Sequence, residues 1–153
     1  MNKKTLILFD LNKTIIHNVR AGRNENSTNK IYIRPHLKYL LQELKKYNLD
    51  IGIWTFSSVD IAKNILDFLE ESLQIKFDLM KVSSSSIKKK DLNVIKMEYK
   101  YENVVLIEDN EEKCVEGQNY IIIKRFISDF KNLDRELIRV YNIIFHKIKG
   151  GKL

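Results

Sequence analysis

The chain has 153 residues, 44% of them hydrophobic and 31% charged, with only five glycines and one proline. This length and balance exclude a disordered tail and suffice for a two-sided core without metal or disulfide staples. The net charge of +7 suits an anionic partner such as a phosphoprotein or nucleic acid. The plainer reading is an AT-rich coding bias, since Asn and Ile are abundant alongside Lys. The lone Cys114 fits a reducing compartment, and the apolar run near the amino terminus is too short for a signal peptide or a membrane span. An intracellular protein of the cytoplasm or nucleus is expected.

Residues 5–9, TLILF, form the first predicted strand, a continuous apolar run of the kind buried on both faces of a parallel sheet. Residues 18–30 read as a loop. PHLKYLLQELKKY then predicts a helix with Pro35 in its first turn and Leu37, Leu40, Leu41 and Leu44 along one stripe. LDIGIWT, residues 49–55, is a second strand. SSVDIAKNILDFLEE follows as a helix that Ser57 or Ser58 can cap, with Ile61, Ile65, Phe68 and Leu69 on one side. Residues 81–90 read as a loop that runs into a shorter helix within 86–99. NVVLI (103–107) and YIIIKRF (120–126) are the third and fourth strands. The segment NLDRELIRVYNIIFHKI predicts a closing amphipathic helix presenting Leu133, Leu137, Val140, Tyr141, Ile144 and Ile148. The alternation predicts one α/β domain over residues 1–150, a Rossmann-like doubly wound parallel sheet with ligands outside the carboxyl ends of its strands.

Polar clusters fall at those ends or at helix starts: Asp10 with Asn12 and Thr14, Thr55 with Ser57, Lys90, and Glu108 with Asp109 and Asn110. Each alone is ordinary strand-end polarity. Together, in this order, they supply what transfer of a phosphoryl group from a monoester requires. A carboxylate can attack phosphorus, a hydroxyl and an ammonium can hold the phosphoryl oxygens, and further carboxylates can hold magnesium.

The combination resembles capless members of the haloacid dehalogenase superfamily. It is closest to the small phosphatases of the RNA polymerase II carboxy-terminal domain, the NLI-interacting-factor-like family, with a weaker resemblance to magnesium-dependent phosphatases of the same superfamily. FDLNKTIIH is similar to the family's DxDxT motif at Asp10 and Thr14 and to its trailing histidine at His17, but departs from it at Asn12. Arg34 and Pro35, followed by Leu40 or Leu41, resemble its RPxxxxxL segment. IGIWTFSS resembles its second motif at Thr55, KKKDL its third at Lys90, and VVLIEDN its fourth at Glu108 and Asp109, or in another register at Asp109 and Asn110. Asp134, Glu136 and Leu137 resemble the opening of its last helix.

The resemblance implies Asp10 as nucleophile through an aspartyl-phosphate, with Asn12, Thr55 and Lys90 completing the catalytic set. It implies a phosphate site of Asp10, Thr14, Thr55, Ser57 and Lys90, and magnesium held by Asp10, Asn12, Asp109 and Glu108. Neither the gap from Asp10 to Thr55 nor that from Thr55 to Lys90 has room for a large cap. An open site suits a phosphoprotein loop; a nucleic-acid 3′-phosphate is the alternative.

In the family the residue at position 12 is an aspartate that gives a proton to the leaving alkoxide and later activates water. Such groups typically contribute about 10² to 10⁴ in rate. Asn12 keeps the shape and the backbone carbonyl but not the proton. Three explanations stand open: an engineered substrate trap, a naturally weakened or non-catalytic phosphate binder, or another acid such as His17 or Glu108 in its place. His36, His146, Trp54, Lys88, Lys89 and Cys114 read as structural or solvated positions.

Overall fold

The computed structural model describes residues 4–19 and 29–153. Strand β1 (Thr5–Phe9) consists of buried residues only, and its pleat sends them alternately to two apolar layers. Ile7 and Phe9 enter one layer, Leu6 and Leu8 the other. Such a strand is stable only with both faces covered, and the rest of the chain supplies the cover.

After β1 come β2 (Ile16–Val19), β3 (Lys30–Ile33), α1 (Leu37–Lys46), β4 (Asp50–Thr55), α2 (Val59–Leu73) and β5 (Leu79–Val82). Then follow α3 (Leu92–Tyr99), β6 (Asn103–Glu108), β7 (Tyr120–Ile122) and α4 (Glu136–Lys149). The main sheet is parallel throughout in the order β5-β4-β1-β6-β7, and β2 and β3 form a separate antiparallel hairpin. Leu37, Leu40, Leu41 and Leu44 of α1, Ile65 and Leu69 of α2, and Leu137, Val140 and Ile144 of α4 pack on the first layer. Leu92 and Ile95 of α3, with Trp54, pack on the second. The expected α/β fold is present, and no cap domain stands among the described residues. No helix of the described residues is long and apolar enough to cross a membrane.

Gly52 shows how tightly β4 is held. A Cβ there would lie 3.0 Å from Leu8 Cδ2 and 3.1 Å from the Leu79 carbonyl oxygen, so any side chain would force the neighbouring strands to shift by a few tenths of an ångström.

Several element expectations need correction. α1 begins after His36, whose φ of 71° breaks the helix, so Pro35 lies before it rather than in its first turn. Of the two candidate caps of α2, Ser58 takes the place by accepting the Ile61 N–H, while Ile61 and Phe68, expected on the packed side, are exposed. Residues 79–82 form β5, so the expected loop over 81–90 starts later. Residues 86–90 are not helical; Asp91 caps α3 by accepting the Asn93 N–H at 2.9 Å. The fourth strand stops at Ile122: the Ile123 N–H makes the last ladder bond, to the Glu108 carbonyl at 3.0 Å, and the Phe126 N–H then turns to the Lys13 carbonyl. The expected loop over 18–30 ends in strand at both sides; residues 20–28 lie outside the described residues. Leu133 is 80% exposed in a 3₁₀ segment (Ser128–Leu133) before α4.

Candidate active site

The parallel register builds the site. Phe9 of β1 lies opposite Ile107 of β6, and the Asp10 N–H extends the ladder to the Ile107 carbonyl at 3.0 Å. The next pair outward is therefore Asp10 beside Glu108. Both have the parity of Leu6, Leu8, Val104 and Leu106, so both side chains emerge on the α3 face. There the turn into α3 delivers Lys90, whose N–H donates to the Lys113 carbonyl at 2.7 Å.

The Lys90 ammonium, fully buried, donates to Asp10 Oδ1 at 2.9 Å and Glu108 Oε2 at 2.8 Å. Glu108 Oε1 accepts the N–H groups of Asp109 at 3.1 Å and Asn110 at 3.3 Å. Burial, then the charge of Asp10, push Glu108 up to about 7, against the pull of Lys90. Asp109 differs. Burial opposes its ionisation, but hydrogen bonds with Glu108, Thr14 and Arg125 outweigh that and hold its carboxyl below the usual range.

Thr14 is buried below the cavity floor. Its hydroxyl lies 3.2 Å from Asp10 Oδ2 and 3.0 Å from Asp109 Oδ1, and so orients both acids. Lys90 and Thr14 between them engage both oxygens of Asp10. Above them opens a cavity of about 320 Å³ whose wall includes Asp10, Asn12, Thr55, Ser57, Asp109 and Asn110. The Thr55 hydroxyl accepts the Ser57 N–H at 3.1 Å and donates to Ser57 Oγ at 3.1 Å, which fixes the turn after β4. Among the expected site residues, Thr14, Lys90 and Glu108 thus lie beneath the cavity and the others on its wall.

Asn12 Oδ1 accepts the Asn18 N–H at 3.1 Å, so its amide is tied to the start of the hairpin. Lys13, next along, takes a φ of 67°, a left-handed turn that swings the chain from Asp10 to Thr14. His17 Nδ1 accepts the Ser128 N–H at 3.1 Å, and neither His17 nor Glu108 lines the cavity. Cys114 is buried, and burial pushes its thiol up to about 12. Trp54 packs with its N–H donated to Ser83 Oγ at 3.0 Å.

The sequence reading missed four wall residues: Lys13, Phe56, Lys113 and Arg125. Phe56 was visible as the neighbour of Thr55. Arg125 carried no signal, because it arrives from a segment that only looked like strand; its Nε lies 3.2 Å from Asp109 Oδ2.

Asp10, Glu108 and Asp109 each offer an oxygen, and all three oxygens lie within 4.8 Å of one another. An all-oxygen, carboxylate-rich donor set with one cation beneath it fits a hard divalent ion such as magnesium. Asp10 and Asp109 line the cavity whereas Glu108 is fully buried beneath it, so Asp10 and Asp109 are the more accessible ligands.

The family model for NLI interacting factor-like phosphatases matches residues 4–151. The chain belongs to this family. Solved structures similar to this NLI interacting factor-like phosphatase family member include an RNA polymerase II CTD phosphatase Fcp1 from fission yeast bound to beryllium fluoride. It is 19% identical, with a TM-score of 0.53, over 98% of this chain and 52% of that one. The Pnkp1/Rnl/Hen1 complex is 13% identical, with a TM-score of 0.56, over 83% of this chain and 48% of that one. A 3-deoxy-D-manno-octulosonate 8-phosphate phosphatase from Vibrio cholerae is 14% identical, with a TM-score of 0.51, over 92% of this chain and 86% of that one. The chain spans about half the length of the Fcp1 chain, and at these identities the likeness is one of fold. No curated protein sequence matches.

Proposed function

We propose that the chain is a magnesium-dependent phosphatase that uses Asp10 as nucleophile on phosphoserine or phosphothreonine in a protein. The observation that carries this is the buried Lys90 bridging Asp10 and Glu108 below an open cavity. One ammonium between two acids holds the Asp10 carboxyl in place while leaving negative charge for a cation. Asp10, Asp109 and the Asn12 carbonyl, with Glu108 behind them, would hold magnesium, which offsets repulsion between the nucleophile and the phosphate dianion. Thr55 and Ser57 face the phosphoryl oxygens from the opposite wall. Asp10 attacks phosphorus, the P–O bond to the serine breaks, and the aspartyl-phosphate is later hydrolysed by water. Asn12 has no proton for the departing alkoxide, which takes one from solvent, so turnover on phosphoserine is slow.

A second reading, a phosphate-binding module without turnover, is favoured by one observation: the Asn12 amide is committed to the Asn18 N–H. Hydrolysis of p-nitrophenyl phosphate separates the two, because its phenolate departs without needing an acid. The unaltered chain with magnesium is expected to hydrolyse it, and Asp10→Asn to abolish the activity. Asn12→Asp keeps an oxygen for Asn18 and is expected to raise turnover of a phosphoserine peptide by about 10² to 10⁴. Unchanged activity in Asn12→Asp would defeat the assignment. Preference for 3′-phosphorylated oligonucleotides over phosphopeptides would transfer it to nucleic acid.

A further inference from the structure

Beside the catalytic cavity lies a groove of about 430 Å³, formed by the segment after β7, the 3₁₀ segment and the first turns of α4. Arg125 belongs to the walls of both, so a chain leaving the cavity past Arg125 enters the groove. Its apolar wall consists of Ile127, Phe130 and Leu133, which are 43%, 64% and 80% exposed. Three large apolar side chains of one short segment, clustered on the surface beside a phosphate-sized cavity, mark a contact surface.

The charge around this wall is one-sided. Asp134 is bound by Arg34 at 2.9 Å, and Glu136 is bound by Arg139 at 2.9 Å and by the Lys124 N–H at 2.9 Å. Arg125 is held by Asp109 at 3.2 Å, and Lys124 and Arg135 remain on the rim to meet anionic groups. Two of the three apolar side chains are aliphatic, suited to an apolar side chain rather than to base stacking, which needs aromatic faces.

We propose that this groove is a substrate-docking subsite that takes the peptide segment flanking the phosphorylated residue, with an apolar side chain against Ile127, Phe130 and Leu133 and acidic neighbours on Lys124 and Arg135. The proposal rests on the phosphoprotein reading of the cavity and names the surface that would select among phosphoproteins.

The test measures binding by fluorescence anisotropy, in the full chain carrying Asp10→Asn to prevent turnover. The probes are phosphoserine peptides that differ only in leucine or alanine beside the phosphoserine, their unphosphorylated forms, and a 3′-phosphorylated oligonucleotide. The leucine phosphopeptide is expected to bind about tenfold more tightly than the alanine one, the value of one large apolar side chain leaving water. Leu133→Asp and Phe130→Asp, at exposed positions where folding should survive, are expected to erase that difference. Equal affinity for the two peptides overturns the proposal, as does a leucine preference that survives both substitutions. Tighter binding of the oligonucleotide overturns it in favour of nucleic acid. A dimer in sedimentation that Leu133→Asp dissolves overturns it in favour of a second copy of the chain. Hydrolysis of p-nitrophenyl phosphate by the unaltered chain is read in parallel, so that failure of the catalytic reading is seen separately from failure of the groove.

Discussion

Among the described residues two cations are fully buried, Lys90 and Arg34, and their surroundings differ in a way that separates site from scaffold. Arg34 meets one carboxylate, Asp134, with two nitrogens at 2.9 Å each, and spends its other donors on the carbonyls of Thr14 at 2.9 Å and Lys124 at 2.7 Å. Its guanidinium also lies 5.4 Å from the centre of the Phe126 ring. Charge there is balanced one to one, and every contact joins chain segments to each other. Lys90 meets two carboxylates, with a third, Asp109, close by. That corner carries surplus negative charge and opens on a cavity. Balanced burial ties the fold together; unbalanced burial holds a place for a cation.

The largest expected effect breaks the unbalanced centre. Lys90→Met leaves Asp10 and Glu108 buried without their partner and is expected to cost about 3–5 kcal/mol of stability at neutral pH. Hydrolysis should be lost with it, read on p-nitrophenyl phosphate at a temperature where circular dichroism shows the variant folded. Retention of full activity would mean that the cation serves only the fold, as Arg34 does.

Breaking the balanced centre is expected to weaken the fold and spare the site. Arg34→Lys keeps a charge for Asp134 but cannot also reach the Thr14 and Lys124 carbonyls, so about 1–3 kcal/mol of stability should go. Magnesium affinity, followed by titration calorimetry, should change less than tenfold, since Asp10 and Asp109 keep their own partners. A larger fall would show that Arg34 governs the site through Thr14 and would erase the distinction drawn between the two cations.

Much of the unbalanced centre was legible in the sequence, for a physical reason. Apolar runs such as TLILF and NVVLI reveal strand ends, and acids at those ends share a face once the strands pair in parallel. The segment after β7 was less legible. YIIIKRF has a strand's composition throughout, but the ladder to β6 ends with the Ile123 N–H on the Glu108 carbonyl, and Phe126 then bonds to Lys13 in the loop beyond β1, a tertiary choice with no local signature. Leu133 fits the helical stripe of α4 and yet lies outside the helix, because the chain enters α4 only after Asp134 accepts the Glu136 N–H at 3.2 Å. The β2–β3 hairpin and β5 are strands of four residues each, too short for periodicity to distinguish from loop. Arg34 was visible as a motif residue, but its partner Asp134 lies 100 positions away.

The smallest expected effect follows from the surplus charge itself. Glu108 titrates near 7 in the folded protein, above the 4.5 of an ordinary glutamate, because it is buried and faces Asp10. Between those two pH values the folded state holds a proton that the unfolded chain has released. Folding is therefore favoured at the acid side, and this stability is lost as pH rises from about 4.5 through about 7. In chelator, the unfolding free energy should fall by about 1 kcal/mol per pH unit across that window. Glu108→Gln, which is neutral at every pH, should flatten the slope. Asp134→Asn leaves Arg34 buried without its carboxylate and should lower stability throughout this window. Added magnesium should also reduce the slope of the unaltered protein from the alkaline side, since a cation beside Asp10 and Asp109 offsets the Asp10 charge that, after burial, holds the proton on Glu108. A slope that persists in Glu108→Gln would locate the proton elsewhere and sever the link between surplus charge and cation site.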